Sequence, residues 1–108
     1  MKITVEIIRV FADRTDMLKA ASNVILTDGE GDSLIIKNVR VIEGANGLFV
    51  SFPSRRNAGG EYREICYPVS PALRKRMSEA VLDAYEKAIQ NTGGDRVERL
   101  IWLEGGTN

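Results

Sequence analysis

The sequence contains no histidine and only one cysteine, Cys66, and these absences limit its chemistry. Without histidine, Ser-His and Cys-His catalytic pairs cannot be built. A single cysteine cannot form an internal disulfide, and it provides too few ligands for a structural zinc site. No catalytic set of residues stands out by its spacing. We therefore expect no enzymatic activity, no cofactor and no small-molecule substrate.

Long apolar runs are also missing. No run approaches the roughly 20 residues that a membrane-spanning helix needs. The first residues alternate apolar and charged side chains where a signal peptide would carry a continuous apolar block. We therefore expect a cytoplasmic protein without a membrane segment. The 108 residues, 44 % hydrophobic and 28 % charged, are typical of one folded domain.

The formal net charge is zero, from 15 basic and 15 acidic residues. A neutral total argues at first against a nucleic-acid partner, because such domains are often strongly basic. The charge is unevenly distributed along the chain, with net values of −2 over residues 1–36, +1 over 37–53, +4 over 54–76 and −3 over 77–108. The zero total therefore conceals a basic middle segment.

Alternating patterns with a period of two residues predict five strands, over residues 2–11, 18–27, 34–42, 48–52 and 62–67. Connections this short require antiparallel pairing. In the third strand, Ile35, Val39 and Val41 are expected on one face, which Lys37 interrupts. Asn46-Gly47 between two apolar runs predicts a hairpin.

The acidic segment Asp28-Gly29-Glu30-Gly31-Asp32 admits two interpretations. Its alternating acids resemble the opening of a calcium-binding loop, but the sixth position is Ser33 instead of glycine, and the twelfth is Val39 instead of glutamate. The glycines and aspartates also suit a tight reversal between strands. We therefore favour a solvated turn.

The pattern changes to that of a helix over residues 71–90. Ser70 suits the N-cap and Pro71 the first helical position. An apolar stripe at three- and four-residue spacing is expected to face the sheet: Leu73, Met77, Ala80, Val81, Ala84 and Ala88. Asp95 and Glu98 predict a second short helix over 96–103, whose apolar residues around Trp102 should dock on this chain or on a partner.

These elements together predict an α+β fold, with an antiparallel β-sheet of about five strands followed by a C-terminal helix packed on it and a short extra terminal helix. Residues 1–94 form the expected domain, and residues 95–108 form a tail.

Six basic residues are the candidates for nucleic-acid binding: Arg55, Arg56, Arg63, Arg74, Lys75 and Arg76. The last three lie in the first turns of the predicted helix, where the positive end of the helix dipole disfavours cations. A bound phosphate would make this arrangement favourable. If the exposed loop that carries Arg55 and Arg56 folds toward the helix start, all six form one patch. The alternative is that they are solvated charges paired with Glu61, Glu64 and Glu79.

Three further residues near this segment have expected positions. Cys66 lies within strand pattern and is expected to be a small buried residue. Tyr62 and Tyr67 could stack on unpaired bases if they are exposed. Alternation places these two tyrosines on opposite faces of the strand, so at least one of them is expected in the core.

Residues 39–88 carry a series of short motifs in a fixed order: Val41-Ile42-Glu43-Gly44, Asn46-Gly47-Leu48-Phe49-Val50, Pro53-Ser54-Arg55-Arg56, Gly60-Glu61-Tyr62-Arg63-Glu64-Ile65, Pro68-Val69 and Ala80-Val81-Leu82. This block closely resembles the SpoVG family, named for septation and for stage V of sporulation. The chain departs from the family pattern at Tyr67, where the family usually has histidine, and in its tail, which has no matching counterpart.

The resemblance implies a small α+β fold that dimerises through its sheet. It also implies a regulatory protein that binds DNA and RNA and has no enzymatic activity. The six basic candidates lie on or beside family positions, so the resemblance supports phosphate contacts by a homodimer. A protein-interaction module in cell division, with the tail around Trp102 as its docking surface, is the alternative.

Overall fold

The computed structural model describes residues 1–11, 17–92 and 100–104. Its elements are β1 (Lys2–Val10), β2 (Leu18–Thr27), β3 (Ser33–Gly44), β4 (Gly47–Ser51), β5 (Ser54–Arg56), β6 (Tyr62–Glu64), α1 (Pro71–Thr92) and β7 (Leu100–Glu104). The predicted α+β class is confirmed, with an antiparallel sheet followed by a long helix. Within the described ranges, no helix combines the length and apolarity needed to cross a membrane.

The main sheet has the strand order β4-β3-β2-β1-β7, and every pairing in it is antiparallel. Its first four strands in the chain are those that the alternation predicts. The predicted fifth strand, 62–67, is wrong as a member of this sheet. Only Tyr62–Glu64 is extended, and it pairs with Ser54–Arg56 in a separate two-stranded ribbon. The exposed loop predicted to carry Arg55 and Arg56 therefore contains a short strand.

The fifth strand of the main sheet comes from the tail. The predicted helix over 96–103 is wrong at residues 100–103, which belong to β7 and pair with β1, from Ile3 opposite Glu104 to Ile7 opposite Leu100. An edge strand leaves a row of backbone N–H and C=O groups unpaired, and an added strand satisfies them. The predicted domain boundary after residue 94 lies outside the described residues.

A β-bulge in β3 changes which residues of this strand face the core, compared with the prediction. Ser22 lies opposite Val39 and Val24 opposite Ile36, so β3 contains one extra residue over this step. Asn38 within the bulge has a φ of 66°, in the left-handed region that asparagine tolerates better than most residues. The bulge shifts the alternation, so that Ile36 is buried and Ile35, expected on the core face, is 43 % exposed.

Both predicted turns connect the strands as expected. The Asp28 carboxylate accepts hydrogen bonds from the backbone N–H groups of Glu30 at 2.8 Å and of Asp32 at 3.0 Å. The carboxylates of these three exposed acids lie within 4.8 Å of one another, and their arrangement is explained by the turn. In the next hairpin, Gly44 pairs with Gly47, and the positive φ of 114° falls on Gly47.

The core lies between one face of the sheet and α1. Its largest fully buried side chains include Phe52, Ile3, Ile7 and Met77. The predicted helix stripe is confirmed, because Met77, Ala80, Val81, Ala84 and Ala88 are buried and Leu73 packs against them. This packing fixes the start of α1 beside the β5–β6 ribbon.

Candidate nucleic-acid interface

The β5–β6 ribbon positions three of the six basic candidates. Arg55 lies opposite Arg63, and Arg56 lies opposite Tyr62. Directly opposed side chains share one face of a ribbon, with Cβ atoms about 4.5–5.5 Å apart. The ribbon therefore presents Arg55 and Arg63 on one face and Arg56 with Tyr62 on the other. Like charges in opposed positions destabilise a strand pair, so a bound anion would stabilise the Arg55–Arg63 face.

The tip of the ribbon is an ordered turn. The side-chain Oδ1 of Asn57 accepts hydrogen bonds from the N–H groups of Gly59 at 2.9 Å and Glu61 at 3.0 Å. Gly60 has a φ of 84°, which favours glycine at this position. The turn closes the two short strands on each other, so the arginines of the ribbon are held on a defined backbone.

Arg74 joins the ribbon to the start of α1. Its guanidinium donates to both carboxylate oxygens of Glu64, at 2.7 and 3.4 Å. It also lies over the ring of Phe52, at 5.0 Å from the centroid, and over that of Tyr67, at 5.9 Å. The hydrogen bond to Glu64 raises the pKa of Arg74 above its ordinary value. Arg74 therefore has a positioning role in addition to its charge.

The start of α1 is capped as the sequence predicts. The Ser70 Oγ accepts a hydrogen bond from the N–H of Leu73 at 3.3 Å. The first turn of the helix contains no acidic residue. The carboxylate of Glu64, on β6, supplies negative charge to Arg74 from outside the helix. Part of the unfavourable interaction between the basic helix start and the dipole is thus compensated within the chain.

The remaining basic candidates differ in their partners. Arg63 forms an exposed ion pair with Glu61 at 3.3 Å, and Arg76 donates to the Met1 carbonyl at 3.1 Å. Lys75 is exposed on the helix. Among the side chains that the structure describes, no ion pair involves Arg55, Arg56 or Lys75.

The structure joins β6 to the helix start through Glu64 and Arg74, and it pairs the strand that carries Arg55 and Arg56 with β6. That all six basic residues form one patch stays a prediction. The structure also shows the alternative at two positions, since Arg63 pairs with Glu61 and Arg74 with Glu64. Both pairs follow from the fold of the ribbon. Glu64 lies in β6 and Arg74 in α1, so their pairing cannot be predicted from the pattern of either element alone.

Two sequence expectations near this surface are wrong. Cys66 is exposed rather than buried. Neither tyrosine belongs to the core, since Tyr62 is 72 % and Tyr67 49 % exposed. The reason is that the extended segment ends at Glu64, so residues 65–67 do not continue the alternation of a buried strand. Both rings therefore meet the condition of exposure on which the predicted stacking with bases depends.

A shallow, open depression of about 630 Å³ lies between the ribbon and the segment leading to α1. We call it the tyrosine depression, and its lining consists of Glu61, Tyr62, Arg63, Glu64 and Tyr67. It places two exposed aromatic rings beside the two carboxylates that pair with Arg63 and Arg74.

The residues that form this surface lie in a segment that matches a known protein family. The sequence model of the SpoVG family matches residues 1–87, from the first strand of the sheet into α1. The chain belongs to the SpoVG family. The match includes the ribbon, the tyrosine depression and the helix start, and it ends before β7.

Relatives named as SpoVG septation proteins cover most of this chain. The protein of Desulforudis audaxviator is 41 % identical over 86 residues, which are 80 % of this chain and 92 % of the relative. That of Caldanaerobacter subterraneus is 36 % identical over 91 residues, or 84 % and 94 % of the two chains. A SpoVG protein of Listeria monocytogenes is 44 % identical over 81 residues, or 75 % and 76 %. SpoVG is thus named as a family of septation proteins and not as a family of enzymes.

Proposed function

We propose that this SpoVG-family protein is a cytoplasmic regulator that binds DNA or RNA through phosphate contacts and acts without catalysis in gene expression, septation or sporulation. The observation that carries this proposal is the opposed pair Arg55 and Arg63 on the ribbon. Two guanidinium groups on one face, on a backbone held by an ordered turn, suit the oxygens of a phosphate.

The six basic candidates have different roles in this proposal. Arg55, Arg56 and Lys75 contact phosphates directly, since the described structure gives them no carboxylate partner. Arg63 exchanges its exposed partner Glu61 for phosphate, because such ion pairs contribute little stability in water. Arg74 holds the helix start against the ribbon, and Arg76 adds positive charge beside it.

Charge reversal on the ribbon tests this mechanism. Binding of labelled DNA and RNA is measured at several salt concentrations for the unmodified protein and for the double variant Arg55→Glu, Arg56→Glu. We expect weaker binding by the variant, with the slope of log K against log salt concentration reduced by about 2, roughly one per lost phosphate contact.

The matched control is the double variant Lys2→Glu, Lys37→Glu, which changes the net charge equally at two exposed positions outside residues 54–76. It should bind more strongly than the ribbon variant. Binding that is insensitive to salt, or equal losses in the two double variants, would contradict phosphate recognition by the ribbon.

The proposal includes a homodimer. An apolar groove of about 410 Å³ lies between β2, β3 and the start of α1. Two of its lining side chains are strongly exposed, Leu34 at 61 % and Val69 at 91 %. Exposed apolar surface of this kind marks interaction sites. Pairing two copies here would bury these side chains, and the two-fold symmetry would present two basic ribbons to one nucleic acid.

A further inference from the structure

The tyrosine depression contains two exposed aromatic rings that have no role in phosphate binding. Its two rings belong to the ribbon and to the segment that leads into α1, and both are exposed to solvent. Tyr62 has the larger exposed fraction of the two, 72 %. Large exposed aromatic rings next to basic residues are the platforms on which unpaired bases stack.

The wall formed by Tyr67 is fixed by its neighbours. The Arg74 guanidinium lies over its ring, and the same group is held by both oxygens of Glu64. Arg74 also contacts the buried ring of Phe52. This chain of contacts ties the Tyr67 wall to the core, so this wall is formed before a ligand arrives and requires little ordering on binding.

The chemistry of the depression favours a base over a phosphate. Among its lining residues, the two carboxylates of Glu61 and Glu64 outnumber the one cation, Arg63, so an anion placed inside would be repelled. Arg63 and Arg74 do not occupy every acceptor site of these two carboxylates, since an ionised carboxylate offers about four lone-pair sites. The exocyclic amino group of a base can donate to such an oxygen, as cytosine N4 does to glutamate.

We propose that the tyrosine depression binds an unpaired, amino-bearing base of a single-stranded nucleic acid, stacked on Tyr62, with Tyr67 and the two carboxylates as the other walls. This inference rests on the proposed nucleic-acid function and specifies its ligand. Arg55 contacts the phosphates outside the depression, and Arg63 contacts them from its rim, where it forms part of the lining. A base within a duplex cannot offer its face to Tyr62, because its neighbours in the stack cover it.

The test compares single-stranded oligonucleotides of cytidine and of thymidine with a duplex of equal length, by fluorescence anisotropy at one salt concentration. Tyr62→Ala should weaken binding of the cytidine strand by about 5- to 150-fold, the range expected for loss of one stacked base. It should leave duplex binding and the salt slope unchanged. Tyr62→Phe should retain the affinity, because its ring can still stack.

Phe49→Ala is the matched control, since Phe49 is an aromatic residue of β4 with 48 % exposure that lies outside the depression. It should bind the cytidine strand as the unmodified protein does. Thermal unfolding of each variant verifies that the fold is retained.

The possible failures can be distinguished. If Tyr62→Ala binds the cytidine strand normally, or loses duplex binding equally, stacking is refuted while salt-dependent phosphate binding stands. Equal affinity for cytidine and thymidine strands refutes the contact with the carboxylates. If the unmodified protein binds no nucleic acid, the proposed function itself fails, and the base site falls with it.

Discussion

Asn38 shows how much one residue determines in this fold. Its positive φ accommodates the extra residue in β3, and its backbone N–H donates to the Asn23 side chain at 3.4 Å. Without this bulge, the alternation from Val39 backward would place Lys37 rather than Ile36 on the core face. The polar interruption at Lys37, visible in the sequence, is therefore the signal of the bulge.

Tyr85 is a residue whose ionisation should affect stability. It lies in α1 with 8 % of its surface exposed. Burial, with a smaller contribution from the charge of Glu43, raises the pKa of its phenol above the ordinary value. Folding therefore favours the protonated phenol. The stability that this provides is complete below about pH 10 and is lost as the pH rises through the folded-state pKa.

The free energy of unfolding of the unmodified protein should therefore fall more steeply above about pH 10 than that of Tyr85→Phe, which has no phenol to ionise. Urea denaturation of both proteins at a series of alkaline pH values measures this, with the difference at neutral pH as the internal reference. A difference between the two proteins that stays constant from neutral to alkaline pH would contradict the shifted pKa.

At the scale of elements, β7 completes the main sheet beyond the part of the chain that matches the family. Its pairing with β1 uses the backbone of residues 100–104 within this chain. This segment contains Trp102, around which the alternative hypothesis placed a docking surface for other proteins. A segment already paired within the chain is less available for such a role.

Removing residues 93–108 should expose the outer edge of β1. We expect faster hydrogen exchange at the β1 amides that face β7, together with a lower free energy of unfolding, because these backbone groups lose their partners. Removing only residues 105–108 preserves β7 and is the matched control. Nucleic-acid binding should persist in both truncated proteins, since the basic ribbon and helix start are intact. Unchanged β1 exchange after the longer truncation would argue against this pairing.

At the scale of the whole molecule, the basic and acidic residues balance in number but are concentrated in different regions of the chain. The described basic candidates lie on the ribbon and the helix start, while residues 77–108 carry a net charge of −3. Acidic surface elsewhere repels phosphate, so a neutral protein of this kind would bind nucleic acid through a limited area and with modest affinity.

The proposed homodimer is tested at this scale. Light scattering should give twice the 12.0 kDa mass of the chain for the unmodified protein. The double variant Leu34→Glu, Val69→Glu should shift the protein toward the monomer, because pairing would bury two uncompensated charges.

Met17→Glu is the control, since Met17 is as exposed as Leu34, at 61 %, and does not line the groove. It should remain dimeric. A monomeric unmodified protein would contradict the dimer, and a dimeric Leu34→Glu, Val69→Glu variant would place the interface elsewhere.

Features that depend on local patterns could be predicted from the amino-acid sequence. Alternation located β1 to β4, three- and four-residue spacing located the buried stripe of α1, and Ser70 with Pro71 marked its start. The ordered motifs also indicated the family. These signals are readable because each depends on residues within one element or one turn.

The pairing of segments that lie far apart in the sequence becomes visible only in the folded chain. The tertiary structure placed β7 on the edge of β1, closed Ser54–Arg56 on Tyr62–Glu64, and joined Arg74 to Glu64. The exposure of Tyr62 and Tyr67 to solvent likewise follows from the fold of the ribbon and the segment after it. The physical reason is that unpaired strand edges and charged groups take partners from distant segments, and the packing of the core determines which segments come within reach.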